Sequence, residues 1–220
     1  MQLLEVQDWG LIPYDEALTR QEELVQQIAD TESAGVVVLC HHPPTVTKGR
    51  KTPDTDIIDW KGPIFEIARG GSATYHGPSQ IVMYPIYNLD FKREGMPRRD
   101  LHWYLRNLEQ VMIETVAEFG ITATGKSLQQ KAGAETPSEE TGLWVGAEKL
   151  ASIGIGVRRW VTFHGLALNI DNDPEAFIGI RPCGFDVKVM TSMEKLLARN
   201  IDHELVQAKL IQNFFRVFKA

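Results

Sequence analysis

A mixed α/β fold is what the sequence predicts, on three observations. The run GVVVLC at 35–40 is continuously apolar and rich in β-branched residues, as in a strand covered on both faces. Leu101, Tyr104, Leu105, Leu108, Val111, Met112, Val116 and Phe119 recur at helical spacing, which gives a helix with one apolar side. Between residues 151 and 168, apolar and small residues alternate as in two strands that turn near Arg158 and Arg159.

The chain has 220 residues, 43% of them hydrophobic, which suits one large domain spanning 1–220 with a substantial core. A formal charge of -6 argues against a general nucleic-acid binder. The pairs Arg98-Arg99 and Arg158-Arg159 are either solvated faces or landing points for an acidic protein. No apolar run approaches the roughly 20 residues that cross a bilayer, and MQLLEVQDWG lacks the basic, apolar, small-residue order of a signal peptide. The expectation is a soluble, intracellular protein with no membrane contact. Cys40 and Cys183 are too few for a disulfide framework, so each is expected as a reduced thiol.

Taken in order, residues 2–7 read as a short strand. After Pro13, Ala17, Leu24 and Ile28, flanked by Leu18 and Val25, recur at helical spacing, and Gly35 is expected to end that helix. The strand at 35–40 is broken by His41-His42-Pro43-Pro44. Cys40, His41 and His42 in a row raise a zinc reading, but about four ligands are needed and no second Cys/His pair stands at finger-like spacing. Cys40 is therefore read as core, and no metal is expected. A polar loop leads to IFEIAR, 64–69, a strand running into GGSATYHGP, where adjacent glycines let the backbone approach a ligand closely. That loop fits neither the dinucleotide nor the phosphate-loop spacing. IVMYPIYNL, 81–89, is a strand that Pro85 places at an edge or a bulge. Asp100 caps the amphipathic helix and Gly120 stops it. Residues 126–142 are polar and contain Gly, Pro and Ser, a loop whose composition permits a lid. Thr191 and Glu194 read as a capping box, and Asp202 caps a last helix carrying Leu205, Leu210, Ile211, Phe214, Phe215 and Phe218.

Within LWVGAEKLASIGIGVRRWVTFHGLALNI, 143–170, alternation puts Ala151, Ile153, Ile155 and Val157 on one face and Ser152, Gly154 and Gly156 on the other. On the next strand Gly165 and Ala167 leave one side small, with His164, Leu166 and Leu168 opposite. Two neighbouring bare faces form either a slot for a linear apolar group or a seat for closely packed backbone. Lys149 shares the parity of the apolar residues. A lysine held there is desolvated, which favours a neutral amine that exchanges protons near neutrality; the other reading is a strand-end lysine that reaches solvent.

GIRPCGFDVKVMTS, 179–192, holds Cys183 between Pro182 and Gly184. Pro182 fixes the backbone, while Gly184 leaves the sulfur uncrowded and its own N–H free to face an oxyanion. Cys183 is either a reactive thiol or a small buried apolar residue.

RGGSATYHGP, then GAEKLASIGIGVRRWVTFHGLALN, then Pro182-Cys183-Gly184, with HHPPTVTKGR ahead of them, closely resemble the octanoyltransferases of lipoate biosynthesis. The resemblance runs from about residue 35 to 190. It implies a biotin/lipoyl protein ligase-like fold, a mixed β-sheet flanked by helices, in a cytoplasmic enzyme that uses no cofactor. It further implies transfer of an octanoyl group from octanoyl-acyl carrier protein to a lysine of lipoyl domains. Those domains belong to 2-oxoacid dehydrogenases and the glycine cleavage H protein. By the same resemblance, Cys183 matches the acyl-accepting nucleophile and Lys149 its proton-transfer partner. Arg69, Gly70, Gly71, Ser72, Ala73, Thr74, Tyr75 and His76 match the substrate-pocket loop, joined by Ser152, Ile153, Gly154, Gly165, Leu166 and Ala167.

Two positions depart from the family pattern: Ser79 where glycine usually follows His-Gly-Pro, and His41 where an acidic residue commonly precedes His-Pro-Pro. Neither touches the Cys/Lys pair. Two other functions compete: an ATP-dependent lipoate or biotin protein ligase on the same fold, which would not need Cys183, and a non-catalytic scaffold that binds lipoyl domains or the carrier protein.

Overall fold

The computed structural model describes residues 4–126 and 141–219; the expected lid at 126–142 lies, apart from its ends, outside them. β1 (Glu5–Leu11) begins later than the strand expected at 2–7. Pro13 stands at the N-cap of α1 (Tyr14–Thr31), where its fixed φ suits a helix start. Glu32, at φ 51, ends that helix in the left-handed region, so Gly35 is not the stop but the first residue of β2 (Gly35–His41). The stretch after Pro44, expected as a polar loop, contains β3 (Thr45–Lys48), since a short Thr/Lys-rich strand carries little apolar signal.

β4 (Ile64–Glu66) is shorter than IFEIAR, and β5 (Thr74–His76) occupies the centre of the expected tight loop. β6 (Gln80–Tyr87) and α2 (Leu101–Ala117) follow, the helix capped by Asp100, which accepts from the Trp103 N–H. Then come β7 (Thr124–Gly125), β8 (Gly142–Val145), β9 (Glu148–Arg158) and β10 (Val161–Asn169). The chain closes with α3 (Met193–Leu197) and α4 (His203–Phe218). Asp202 caps α4 as expected, but the Thr191/Glu194 box does not form. Ser192 caps α3 instead, accepting from the Lys195 N–H at 3.2 Å, while Glu194 accepts from the Asn172 N–H at 2.7 Å.

The strands make a seven-stranded sheet in the order β1-β2-β6-β10-β9-β8-β7 and a three-stranded sheet in the order β4-β3-β5. In the large sheet β1 and β2 are parallel and the remaining neighbours antiparallel, so the sheet is mixed. α2 and α4 pack on one face, against Val37, Leu39, Ile81, Met83, Leu166 and Leu168. α1 covers part of the other with Ala17, Val25 and Ile28, against Val36, Val38, Val82 and Ile86. The small sheet lies on this second side, where Tyr14 at the start of α1 meets Phe65 and His76.

Pro85 sits in a central strand, not at an edge. The β6–β10 ladder runs from Asn169↔Gln80 to Leu166↔Met83 and then lapses beside Pro85; Val161 resumes contact with Asn88. In the gap the Thr162 hydroxyl takes over, donating to the Pro85 carbonyl at 2.7 Å and accepting from the Tyr87 N–H at 3.0 Å. A residue without an N–H is tolerated centrally because the ladder is already interrupted there. The β9–β10 turn uses Arg159 and Trp160 at φ 51 and 63, the two successive left-handed residues that a two-residue hairpin of matching twist requires.

Candidate active site

The cysteine loop is positioned from three sides. Cys183 donates its N–H to the Ala73 carbonyl at 2.7 Å, which ties it to the approach to β5. Arg181 donates to the Asp56 carbonyl at 2.8 Å, and Thr191 to the Lys149 carbonyl at 3.0 Å. Between these anchors Cys183 adopts φ 54, ψ 31. That left-handed conformation costs a non-glycine residue roughly 1–2 kcal/mol and persists only where the surroundings impose it. Gly184 does not keep the free N–H expected of it: that group donates to the Arg181 carbonyl at 3.1 Å, closing the turn.

Lys149 is 1% exposed, so it does not reach solvent. Its face differs from the one alternation predicts. Trp144 pairs with Lys149 but Leu143 pairs with Ala151, which leaves Leu150 as the extra residue of a β-bulge. The bulge resets the parity: Leu150, Ala151 and Ile153 all join the core under α2 and α4. Lys149 is turned instead toward aromatic rings, its Nζ 5.5 Å from the centre of Trp144 and 5.7 Å from that of Phe185, two residues beyond Cys183.

Beside the cysteine a narrow slot opens between the large sheet and the 69–76 segment, enclosing about 480 Å³ including its mouth. Arg69, Gly71, Thr74, His76, Ser152, Ile153, Gly154, Gly165, Leu166, Ala167 and Cys183 all line it. The other residues matched to the pocket loop do not. Ser72 turns its hydroxyl to Asp56, and Tyr75 packs with Trp60 and Phe177 behind the loop. Gly70 bonds the Ile155 carbonyl through its N–H at 3.2 Å, and Ala73 is fully buried as the anchor of Cys183. The four hold the loop in place.

Both readings of the bare strand faces are realised. A Cβ at Gly156 would meet the Phe163 ring at 2.4 Å and the Ala68 carbonyl at 2.9 Å, and one at Gly154 would meet Arg69 Cδ at 2.8 Å. These glycines seat the incoming loop; the space left over Ser152, Gly165 and Ala167 is the slot.

Arg69 is the charge inside this space. It donates to the Thr47 carbonyl and hydroxyl at 3.0 and 2.9 Å and to the Gly70 carbonyl at 2.9 Å, while its Nε has no hydrogen-bond partner among the described residues. Burial lowers its pKa, opposed by the proximity of Cys183, Tyr14 and Tyr84. Tyr14, Val82, Tyr84 and His164 also line the slot. No motif announces the first three, since α1 and β6 bring them in from far along the chain. Behind them His42 donates from Nδ1 to the Ile12 carbonyl at 2.8 Å, and its Nε2 pairs with the Tyr84 hydroxyl at 2.7 Å. Burial holds its pKa down at about 4. Cys40 is core, and among the described residues no cluster of His, Cys, Asp or Glu could hold a metal ion. No helix among them is long and apolar enough to cross a membrane.

The departures lie outside the slot lining. Ser79 donates to Asp173 at 3.1 Å, and its carbonyl accepts from Ile170 and Asp171 at 2.9 and 3.1 Å. His41 bonds the Gln80 carbonyl through Nδ1 at 2.6 Å and stacks on His203 at 5.4 Å.

Comparison with known proteins bears on this geometry. The family model described as lipoyl protein ligase A/B catalytic domain matches residues 13–215. An octanoyltransferase of Bdellovibrio bacteriovorus is 44% identical over 96% of this chain and 97% of its own. Among solved structures, lipoate-protein ligase A bound with ATP superposes with a TM-score of 0.69 at 13% identity, covering 99% of this chain and 86% of that one. The bi-partite lipoate protein ligase of Thermoplasma acidophilum, studied with its E2 lipoyl domain, gives 0.62 at 14%, covering 100% and 85%. At such identities these two establish a shared fold alone.

Proposed function

Since this chain belongs to the lipoyl protein ligase A/B catalytic domain family and, within it, to the octanoyltransferases, we propose that it carries the octanoyl group of protein lipoylation on Cys183. The observation that carries this reading is the left-handed Cys183, held beside a slot between two sheets and facing Arg69. The donor is an octanoyl thioester on acyl carrier protein and the acceptor a lysine of a lipoyl domain, with residues 1–220 acting as one cytoplasmic catalytic domain.

In the proposed sequence Lys149 takes the Cys183 proton, and the sulfur attacks the donor carbonyl. The bond to the carrier sulfur breaks, and the carrier thiolate leaves with the proton returned by Lys149. The acceptor amine then attacks the Cys183 thioester and loses a proton to Lys149, and Cys183 departs as thiolate. The acyl donor is already activated, so no ATP is consumed. Gly184, committed to Arg181, does not serve the oxyanion; Arg69 Nε, buried and unpartnered among the described residues, is the donor that replaces it. The acyl chain lies over Ser152, Gly165 and Ala167.

Mass measurement after mixing with octanoyl-loaded carrier, without ATP, tests the reading. One octanoyl adduct is expected, absent from Cys183→Ala; an adduct that survives that substitution overturns it. Lys149 is buried, so Lys149→Met, which keeps the volume, is the suitable second variant. It is expected to fold and to lose transfer, and near-normal rates would remove Lys149 from the mechanism.

A further inference from the structure

The two arginine pairs that suited an acidic partner in the sequence are neutralised in the fold. Arg98 and Arg99 both pair with Asp90, Arg158 with Glu22 at 3.4 Å and Arg159 with Asp30 at 2.6 Å. Positive charge without a partner lies elsewhere. Arg50, Lys51 and Arg181 are exposed, and none of them makes an ion pair among the described residues. The acids of the neighbouring segments are occupied. Lys48 holds Asp54 at 3.7 Å and Glu66 at 3.3 Å, Lys61 holds Asp59, and Asp56 is buried against the Ser72 hydroxyl. Beyond the cysteine Lys188 offsets Asp186, and Glu175 has no cation of its own, which leaves the three in excess.

The backbone sets all three beside the slot. Arg50 donates its N–H to the Arg69 carbonyl at 3.3 Å and Lys51 to the Gly71 carbonyl at 3.4 Å, so residues 49–51 run against two residues that line it. Gly49 permits that approach, since a Cβ there would meet the Gly71 carbonyl at 2.2 Å. Arg181 stands two positions before Cys183 and is tied by its N–H to the Asp56 carbonyl. The same contacts bring up two exposed aliphatics. Ile58 donates to the Gly179 carbonyl at 2.8 Å and Ile57 bridges Ile180, which places Ile58, 63% exposed, on backbone adjoining that of Ile178, 55% exposed. On the other flank of Cys183 the exposed Gly184 has open space beside it, where a Cβ would meet no atom within 4 Å. Apolar side chains accompanied by unpaired charge, next to an open reactive loop, have the composition of a protein-binding surface.

We propose that Arg50, Lys51, Arg181, Ile58 and Ile178 form the docking surface of the octanoyl donor, which meets it with an acidic face that carries apolar side chains; the inference rests on the Cys183 acyl-carrier reading above. Charge separates donor from acceptor here. An acceptor lysine approaches as an ammonium, which unpaired cations repel, whereas a thioester is uncharged and leaves its carrier free to be acidic. On a chain of net charge -6, a cationic rim also steers an acidic donor away from the rest of the surface and toward the cysteine.

The test measures octanoyl loading of Cys183 by mass at low ionic strength from two donors: octanoyl-acyl carrier protein, and octanoyl-N-acetylcysteamine, a thioester with no protein attached. Arg50→Glu combined with Lys51→Glu is expected to slow loading from the carrier at least about tenfold and to leave loading from the small thioester unchanged. Arg181→Gln and Ile58→Ser should each act in the same direction, again on the carrier alone. About 1 M salt, where the screening length is ~3 Å, should erase the charge effects and spare that of Ile58→Ser. The same reversal at Arg98 and Arg99 controls for total charge and should not slow the carrier. Equal slowing of both donors, equal slowing by both double reversals, or no slowing at all overturns the assignment. Normal loading followed by slowed transfer to a lipoyl domain also overturns it, by giving the surface to the acceptor. Wild-type protein that takes no octanoyl from either donor sinks the Cys183 reading instead. Calorimetric binding of unloaded carrier to wild type and to the Arg50/Lys51 double variant then decides the surface by itself: weaker binding by the variant keeps it, and equal binding removes it.

Discussion

Cys183, the proposed acyl carrier, holds a backbone conformation that costs the fold something a relaxed loop residue would not. Its φ of 54 is penalised for any side chain with a Cβ, whereas glycine adopts it freely. Cys183→Ala and Cys183→Gly both remove the sulfur and both should abolish transfer. Their stabilities should nevertheless differ, with glycine above alanine by about 1 kcal/mol, the reverse of their usual order in ordered segments. Urea unfolding of the two inactive variants measures the difference; alanine equal to or above glycine would show that the loop carries no such strain. Pro-Cys-Gly was visible in the sequence as an unusual triplet. The strain was not, because a φ is set by what the flanking anchors impose, here Ala73, Asp56 and Lys149.

At the level of elements, the hairpin of β9 and β10 supplies both the slot and the rigidity behind it. Gly165 and Gly154 are directly paired, yet they answer to different neighbours. A Cβ at Gly165 would come within 2.1 Å of the Met83 carbonyl and 2.8 Å of Pro85 Cδ, so β6 and β10 would have to part. A Cβ at Gly154 meets mainly the Arg69 side chain, at 2.8 Å to Cδ. Gly165→Ala should therefore destabilise by about 3 kcal/mol or more, a fall of roughly 10 °C in Tm for a chain of this size. Gly154→Ala should unfold within a few degrees of wild type but transfer octanoyl at least about tenfold more slowly, because it displaces Arg69 from Cys183. Calorimetry and a transfer assay on both variants check this, and equal Tm losses would refute the division. Alternation in the sequence located the hairpin and the small-residue faces correctly. It misplaced Lys149 and His164, since a one-residue bulge at Leu150 and one left-handed residue each reverse a parity count without leaving a mark on composition.

For the whole molecule, the two sheets and α1 enclose a polar seam. The motifs made the large sheet, its helices and most slot-lining residues legible, because glycine pairs, capping aspartates and apolar periods act locally. Tyr14, Val82 and Tyr84 were not legible, since only the packing of α1 and β6 over the small sheet brings them to the slot. That packing also buries His42, His76 and His164 as neutral rings, with pKa values about 4 for His42, well below 6.5 for His76 and about 3 for His164, in each case chiefly from burial. An unfolded histidine titrates near 6.5, so below that pH the unfolded chain takes up protons that the folded chain refuses. Stability is therefore complete above about pH 6.5 and falls as the pH drops toward 4, by about 1.4 kcal/mol per pH unit for each of the three rings. Ordinary carboxylates titrate mostly below about pH 5, which leaves the interval from 6.5 to 5 to the histidines. Summed, the three give a slope near 4 kcal/mol per pH unit at the lower end of that interval, large against the 5–15 kcal/mol that holds a typical domain together. The urea midpoint should drop steeply between pH 6.5 and 5 with the m-value unchanged, and a midpoint that stays flat over that range would mean the seam is hydrated and its rings are free to charge.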